Sequence, residues 1–199
     1  MIDLINISKR LSTTYDKSTS DNDLMATKVI EENNLIEAAV LIPIVERKNR
    51  LHVILTKRSN SLKQHPGQIS FPGGKSEKND ESLVATALRE TKEEIGISSE
   101  HVEILGKLSK HNTITGYKIT PFLAKIDKGF STKMQTAEVS EIFEVPLSYL
   151  LHSHNFRIES VKWRNQKRYF YSIPYGPYYI WGATARILKN LADLCEKKY

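Results

Sequence analysis

The sequence has 199 residues, of which 40% are apolar and 26% are charged, and its net charge is +6. This length favours one domain with a short additional segment, and the composition excludes a disordered chain, a collagen-like fibre and a coiled-coil fibre. A single cysteine excludes an internal disulfide and a cysteine zinc site, and the short apolar runs and polar first residues lead us to expect a cytoplasmic protein that binds no membrane.

Charge is distributed unevenly along the chain. Residues 76–103 have a net charge of −5 and lie between residues 37–75, with +5, and residues 104–199, with +8. Basic surface attracts polyanions such as nucleic acid or a phosphorylated small molecule, and an acidic block can hold metal ions that bridge to such a ligand. On charge alone, an ordinary solvated helix is the simpler explanation of the acidic block.

The first part of the chain is predicted to lie outside the main domain. Residues 1–36 are polar and are interpreted as an N-terminal appendage with one short helix over residues 24–31. Residues 37–199 are predicted to form the domain itself.

The domain is predicted to begin with a β-hairpin. Residues 37–45 are rich in Val, Leu and Ile and predict a buried strand, and residues 51–57 predict its partner across a polar turn. Residues 59–76 are then predicted to be a long loop with two prolines and three glycines, and loops of this length are usually functional.

The clearest predicted helix covers residues 81–95. Asn79 or Asp80 is suited to cap its start, and Gly96 is suited to end it. The remaining predicted elements are strands over residues 102–108, 118–126 and 140–145, a short helix over 146–151, a hairpin with strands 158–163 and 168–173, and a final helix from about residue 182.

Three glutamates on the helix over residues 81–95 are the first candidates for chemistry. Glu90 and Glu94 lie about 40° apart around the helix and about 6 Å apart along it, beside the predicted buried stripe. Arg89 can neutralise one of these carboxylates. A divalent cation would balance the negative charges that remain, including that of Glu93. Carboxylate oxygens favour Mg²⁺ or Mn²⁺ as the bound ion, and either ion also binds phosphate oxygens as further ligands.

The segment from Gly73 to Ile97 reads GGKSEKNDESLVATALRETKEEIGI and resembles the Nudix box, Gly-x5-Glu-x7-Arg-Glu-U-x-Glu-Glu-x-Gly-U, where U is a bulky aliphatic residue. The match covers Gly74, Glu81, Arg89, Glu90, Glu93, Glu94, Gly96 and Ile97. Two departures are visible: six residues rather than five separate Gly74 from Glu81, and Thr91 stands at the first aliphatic position. The extra residue leaves the spacing of the helix glutamates intact and puts a role for Glu81 in doubt.

A second motif resembles one branch of the same family. Residues 54–74 read ILTKRSNSLKQHPGQISFPGG and are similar to the signature of coenzyme A pyrophosphatases, with Lys63 in place of its second arginine. A lysine keeps the charge but loses the forked contact that a guanidinium makes with phosphate.

The resemblance implies an α/β fold, a Nudix-type α/β/α sandwich around a mixed sheet in which the box forms loop–helix–loop. It implies that Glu90 and Glu94 hold Mg²⁺ or Mn²⁺, with Glu93 nearby as a further ligand or an orienting residue, and that Arg89 is one of the catalytic residues. Hydrolysis of a pyrophosphate also needs a carboxylate that accepts a proton from water, and Glu93 and Glu138 are the two candidates.

The branch resemblance implies that the substrate is coenzyme A or an acyl derivative and that the products are 3′,5′-ADP and 4′-phosphopantetheine or its acyl form. The candidate substrate-binding residues are Lys57, Arg58, Lys63, His65, Gly73 and Gly74.

Two other interpretations stay open. A Nudix hydrolase acting on another substrate, such as ADP-ribose, has the same box. Residues 157–181 also interleave basic and aromatic side chains, which is typical of single-strand nucleic-acid binding. We favour packing of these rings against the core or against a second copy in a homodimer, and we expect no nucleic-acid partner.

Overall fold

In the computed structural model, residues 3–13, 18–25, 34–163 and 166–196 are described, and they form two β-sheets and four α-helices. The helices are α1 (Leu4–Thr13), α2 (Leu83–Ile95), α3 (Leu147–Leu150) and α4 (Ala183–Glu196). The strands of the large sheet are β1 (Thr19–Ser20), β2 (Ile36–Arg47), β3 (Arg50–Arg58), β4 (Ile69–Ser70), β5 (Gly73–Lys75), β6 (Val102–Lys107), β7 (His111–Asn112), β8 (Tyr117–Ile126) and β9 (Val139–Pro146). The small sheet contains β10 (Arg157–Trp163), β11 (Gln166–Tyr175) and β12 (Tyr178–Trp181).

Strand β2 is the centre of the large sheet. It pairs in parallel with β8, and it pairs antiparallel with β3 through its second half and with β5 through its first half. Strand β3 also pairs antiparallel with β4 and β9. The sheet is mixed because it contains the parallel β2–β8 pair as well as these antiparallel pairs. The small sheet is antiparallel throughout, in the order β10-β11-β12.

Helices cover both faces of the large sheet. Leu41 of β2 packs in one apolar cluster with Ala87 and Ile95 of α2. Ile42, the next residue of β2, packs in a second cluster with residues of α1 and α4, because successive side chains of a strand point to opposite faces. The predicted α/β/α sandwich around a mixed sheet is therefore confirmed.

Most elements predicted from the sequence are present within one or two residues of their predicted bounds. The turn between β2 and β3 places Lys48 and Asn49 at φ of 48° and 60°, as expected for a tight hairpin. The final helix buries the four predicted residues, Ile187, Leu188, Leu191 and Leu194.

The predicted long loop over residues 59–76 contains two short strands, so this prediction was wrong in part. Gly73 and Gly74 of β5 pair with Val40 and Ala39 of β2. A Cβ on Gly73 would lie 2.4 Å from the carbonyl oxygen of Ala39, and its φ of 154° favours glycine. Glycines usually predict loops, and here they allow two backbones to pair at close range.

Described parts of the N-terminal 36 residues pack against the domain rather than standing apart from it. Ile7 of α1 is 4% exposed and belongs to the same apolar cluster as the core of α4. The Ser8 hydroxyl donates to the carbonyl of Leu105 at 2.6 Å, and Arg10 donates to the carbonyls of Leu194 and Cys195. Most of the helix predicted over residues 24–31 lies outside the described residues.

Among the described residues, no helix is both long enough and apolar enough to cross a bilayer.

Replacement of Ile7 by Ala is expected to lower the free energy of unfolding by about 2–5 kcal/mol, because the side chain is buried among α4 and the large sheet. The matched control is Ile5→Ala on the same helix, where Ile5 is 67% exposed and the change should stay within about 0.5 kcal/mol. Urea unfolding of the two variants measures both values. Equal effects of the two changes would show that α1 is not part of the core.

Candidate active site

The acidic helix α2 is fixed at both ends. At its start the Ser82 hydroxyl accepts a hydrogen bond from the backbone N–H of Ala85 at 3.1 Å. At its end Gly96 adopts a left-handed conformation with φ of 77°, and its N–H donates to the carbonyl of Lys92. The predicted stop at Gly96 is confirmed, whereas the predicted cap at Asn79 or Asp80 is wrong, because Ser82 caps the helix and the Asp80 carboxylate is bound elsewhere.

Arg89 connects the loop before α2 to the glutamates on it. Its Nε and Nη2 donate to the two carboxylate oxygens of Asp80 at 2.9 and 3.1 Å. Its Nη1 donates to Glu90 and to Glu93, each at 3.0 Å. The hydrogen bond from Arg89 holds the pKa of Asp80 well below its usual range, and the same contact raises the pKa of Arg89. Arg89 therefore stays charged and neutralises part of the acidic cluster.

Glu94 is the most enclosed carboxylate of the site. Its residue is 3% exposed, and burial raises its pKa to about 8, although the positive charge of Arg58 opposes that rise. The distance from Arg58 Nη1 to Glu94 Oε1 is 4.0 Å, and the other carboxylate oxygen, Oε2, is buried without a hydrogen-bond partner. A buried carboxylate oxygen without a donor is costly unless a cation binds it.

Glu90 lies one turn before Glu94 and is partly buried. Burial raises its pKa, Arg89 opposes the rise, and the charges of Glu93 and Glu138 add to it. A Cβ on Gly74 would lie 2.4 Å from Glu90 Oε1, so the backbone of β5 lies directly against this carboxylate. Both glutamates thus lie under the glycine-containing strand that precedes the helix.

A cavity of about 670 Å³ opens above these carboxylates. Of the residues predicted to form the site, those that line this cavity are Glu90, Glu94, Glu138, Arg58, His65, Gly73 and Gly74. The structure does not place Lys57, Lys63, Arg89 or Glu93 on its wall. Lys63 is exposed, and the Glu93 carboxylate, 57% exposed, is bound by Arg89.

Glu138 enters the site from the turn before β9. Its backbone carbonyl accepts from the N–H of Ser59 at 2.8 Å, and its own N–H donates to the carbonyl of Gln135. Its residue is exposed and lines the cavity, and its charge contributes to the raised pKa of both Glu90 and Glu94. The Glu138 side chain is therefore open both to the cavity and to solvent.

The donor set of the site fits a divalent cation. Glu90 and Glu94 present carboxylate oxygens to one cavity, and the orphaned Oε2 of Glu94 lacks the positive partner that an ion would supply. The described residues hold no group of three Asp, Glu, His or Cys side chains already gathered around one point. Mg²⁺ needs few protein ligands because it keeps waters and takes substrate phosphate oxygens.

Another part of the cavity wall was not assigned to the site from the sequence. It contains Val161, Arg168, Phe170 and Trp181 from the small sheet, and Asp21 from the N-terminal segment. Asp21 accepts from the backbone N–H of Ile114 at 2.9 Å and lies 3.0 Å from Nε2 of the buried His111. Residues 18–23 show only a polar run in the sequence, which does not reveal their distant partners.

The rings of residues 157–181 are partly accounted for by packing. Tyr178 stacks on Phe143 with ring centroids 3.7 Å apart, and Tyr175 contacts Tyr149 at 5.0 Å. Residues 164–165 of the predicted turn lie outside the described residues.

Comparison with known proteins gives consistent matches. The family profile described as NUDIX domain matches residues 35–169. A protein of Photorhabdus laumondii named "Uncharacterized Nudix hydrolase NudL" is 41% identical over 83% of this chain and 88% of its own. One with the same name from Shigella boydii is 37% identical over 91% of this chain and 94% of its own. The crystal structure of a MutT/nudix family protein from Enterococcus faecalis has a TM-score of 0.50 and 15% identity over 86% of this chain and 66% of that one, which is a likeness of fold.

The enclosure of Glu94 predicts a pH dependence of stability in the metal-free protein. Its pKa is about 8 in the folded state, and a glutamate in an unfolded chain titrates near ~4.3. Between these values the folded state binds one more proton than the unfolded state, so the free energy of unfolding should fall as pH rises, by up to ~1.4 kcal/mol per pH unit from this group.

Urea unfolding from pH 5 to pH 8 in the presence of a chelator measures this dependence. Glu94→Gln is expected to remove this contribution, so that the free energy of unfolding changes less with pH. Glu81→Gln, at an exposed position on the preceding loop, should keep the wild-type dependence on pH. Parallel curves for wild type and Glu94→Gln would contradict the raised pKa.

Proposed function

This chain belongs to the Nudix hydrolase family, whose members cleave nucleoside diphosphate derivatives, and from that membership we propose that it hydrolyses the pyrophosphate bond of coenzyme A or an acyl-coenzyme A. Water adds to one phosphorus, and the products are 3′,5′-ADP and 4′-phosphopantetheine or its acyl form. The alternative within the family is another nucleoside diphosphate derivative such as ADP-ribose.

One observation carries the choice of coenzyme A. The segment over residues 54–74, which resembles the coenzyme A pyrophosphatase signature, lies directly against the box glutamates. Arg58, which lies outside the box, is 4.0 Å from the Glu94 carboxylate. This contact supports a joint function for the two motifs at one cavity.

The proposed metal ligands are Glu90 and Glu94, which would hold Mg²⁺ or Mn²⁺. When bound, the ion supplies a Lewis acid for phosphate oxygens and lowers the pKa of water. Arg89 keeps Glu90 oriented through its hydrogen bond, and Arg58 offsets the charge of Glu94. The backbone of Gly73 and Gly74 lines the cavity and leaves room for a phosphate group close to the main chain.

The proposed proton acceptor is Glu138. Of the two candidates, Glu138 lines the cavity, whereas Glu93 is bound to Arg89 on the exposed side of α2. A carboxylate placed beside the attacking water can take its proton as the bond to phosphorus forms. Glu93 would then act through Arg89, by helping to hold Glu90 in place.

The test of substrate class is a chromatographic assay of purified protein with Mg²⁺ against coenzyme A, ADP-ribose and deoxynucleoside triphosphates. We expect coenzyme A to have the highest kcat/KM and to yield 3′,5′-ADP. A higher kcat/KM for ADP-ribose, or for a nucleoside triphosphate, would favour the other Nudix reactions and reject the coenzyme A assignment.

Glu90→Gln and Glu94→Gln are each expected to lower kcat by at least ~100-fold with the fold intact, because each change removes a charged metal ligand while helix propensity changes little. Initial rates at saturating Mg²⁺ and circular dichroism measure the two properties. The control is Glu81→Gln, where the box glutamate is exposed and displaced by the extra loop residue, and its rate should stay within about twofold of wild type. Near wild-type turnover of Glu94→Gln would refute the ligand assignment.

Glu138→Gln is expected to lower kcat by ~100-fold or more with little change in KM, which is the usual contribution of a general base. Glu93→Gln should reduce kcat by less than about tenfold, because Arg89 keeps its contacts with Asp80 and Glu90. The pH profile of kcat for each variant is the second measurement. The decrease of kcat at acidic pH should disappear in the variant that lacks the general base. If Glu93→Gln has the larger effect, the roles of the two residues are exchanged.

A further inference from the structure

The small sheet presents one row of side chains to the cavity. Register pairs Val161 of β10 with Arg168 of β11, and Ser172 of β11 with Trp181 of β12. Paired residues and residues two apart share a face, so Phe170 lies on the same face as these. Val161, Arg168, Phe170 and Trp181 all line the cavity, and we refer to this row as the aromatic wall.

The aromatic wall has an apolar surface that is open to a ligand. The rings of Phe170 and Trp181 meet edge to face with centroids 5.4 Å apart. Trp181 is 36% exposed although it belongs to the cavity lining, so part of its indole is available for contact. Such a surface suits a planar ring, because a heterocyclic base stacks on aromatic faces in water.

Two guanidinium groups accompany these rings. Arg168 lies on the aromatic wall itself, and Arg186 of α4 also lines the cavity, above the ring of Tyr171. Both are tied to the N-terminal segment: Arg168 donates to Asn22 at 3.4 Å, and Arg186 donates to Asp23 at 2.8 Å. Guanidinium groups held in this way are suited to bind phosphate.

The cavity lining contains both acidic and basic groups. Glu90, Glu94 and Glu138 come from α2 and the turn before β9, with Arg58 beside Glu94, whereas Arg168 and Arg186 come from β11 and α4. Lys57 and Lys63, two of the substrate-binding residues predicted from the sequence, are not on the cavity wall.

We propose that the aromatic wall is a nucleoside subsite, in which the Trp181 indole stacks on the base, Phe170 contacts the edge of the base, and Arg168 binds a phosphomonoester on the nucleoside itself. Resting on the proposed function, the ligand is the 3′-phosphoadenosine end of coenzyme A. The pyrophosphate then lies toward the glutamates, and the pantetheine arm leaves the cavity at that end. Residues 22 and 23 of the N-terminal segment are positioning residues, because they hold the two arginines.

The test is equilibrium binding of 3′,5′-ADP and of 5′-AMP without metal, so that it does not depend on hydrolysis. The chain has two tryptophans, and a Trp163→Phe background leaves Trp181 as the only fluorescent indole. We expect both nucleotides to quench this emission and 3′,5′-ADP to bind at least ~10-fold more tightly, from one charge-assisted contact. Equal affinities for the two nucleotides would overturn the phosphomonoester part of the proposal.

Neighbouring residues on β11 give matched controls. Arg168→Gln should abolish the preference for 3′,5′-ADP, whereas Lys167→Gln, one residue away on the opposite face, should keep it. Phe170→Leu should weaken the binding of both nucleotides by ~10-fold or more, and Tyr169→Leu should weaken the binding of neither. Arg168→Lys, which keeps the charge, serves if Arg168→Gln does not fold, and should retain part of the preference.

The outcomes separate this proposal from the proposed function. Preference for 3′,5′-ADP that depends on Arg168, in a protein that does not hydrolyse coenzyme A, would support the subsite and reject the reaction. Coenzyme A hydrolysis with identical effects of Arg168→Gln and Lys167→Gln on binding would reject the subsite and leave the reaction standing.

Discussion

The enclosure of the Glu94 carboxylate is the constraint around which the site is built. Removing an ionised group from water costs free energy, and a lone charge at this position would protonate instead. Arg58 faces Glu94 from β3, and Arg89 holds Glu90 from α2 itself. The arrangement leaves one carboxylate oxygen of Glu94 without a donor, so the folded chain keeps a position that a cation can satisfy.

The geometry that encloses these carboxylates comes from strand pairing rather than from the helix. Strand β5 can lie against β2 and against Glu90 because Gly73 and Gly74 have no side chains at the two closest approaches. Arg58 stands at the end of β3, and the backbone of Glu138 is bonded to the next residue, Ser59. The large sheet therefore positions Arg58, Glu138 and the backbone of β5 against the glutamates that α2 carries.

Sequence periodicity was sufficient for the elements with strong internal patterns. Helices α2 and α4 and the β2–β3 hairpin carry their signal within their own residues, and the spacing of Glu90 and Glu94 follows from helix geometry alone. The aromatic wall has no such local signal, because its position depends on the register of β10–β12 and on contacts with residues 22 and 23, more than 140 positions away. Lys57 was grouped with Arg58 by proximity in the chain, yet only Arg58 of the two lines the cavity.

The contacts of helix α1 with α4 have a consequence for synthesis of the chain. Arg10 donates to the carbonyl of Leu194, which is 184 residues further along, and Asp23 pairs with Arg186. A ribosome releases the N-terminal residues first, so α1 lacks its native partners until β6 and then α4 have emerged. The cover of Ile7 is therefore completed only when the last helix of the chain docks, so the two ends of the chain close the core together.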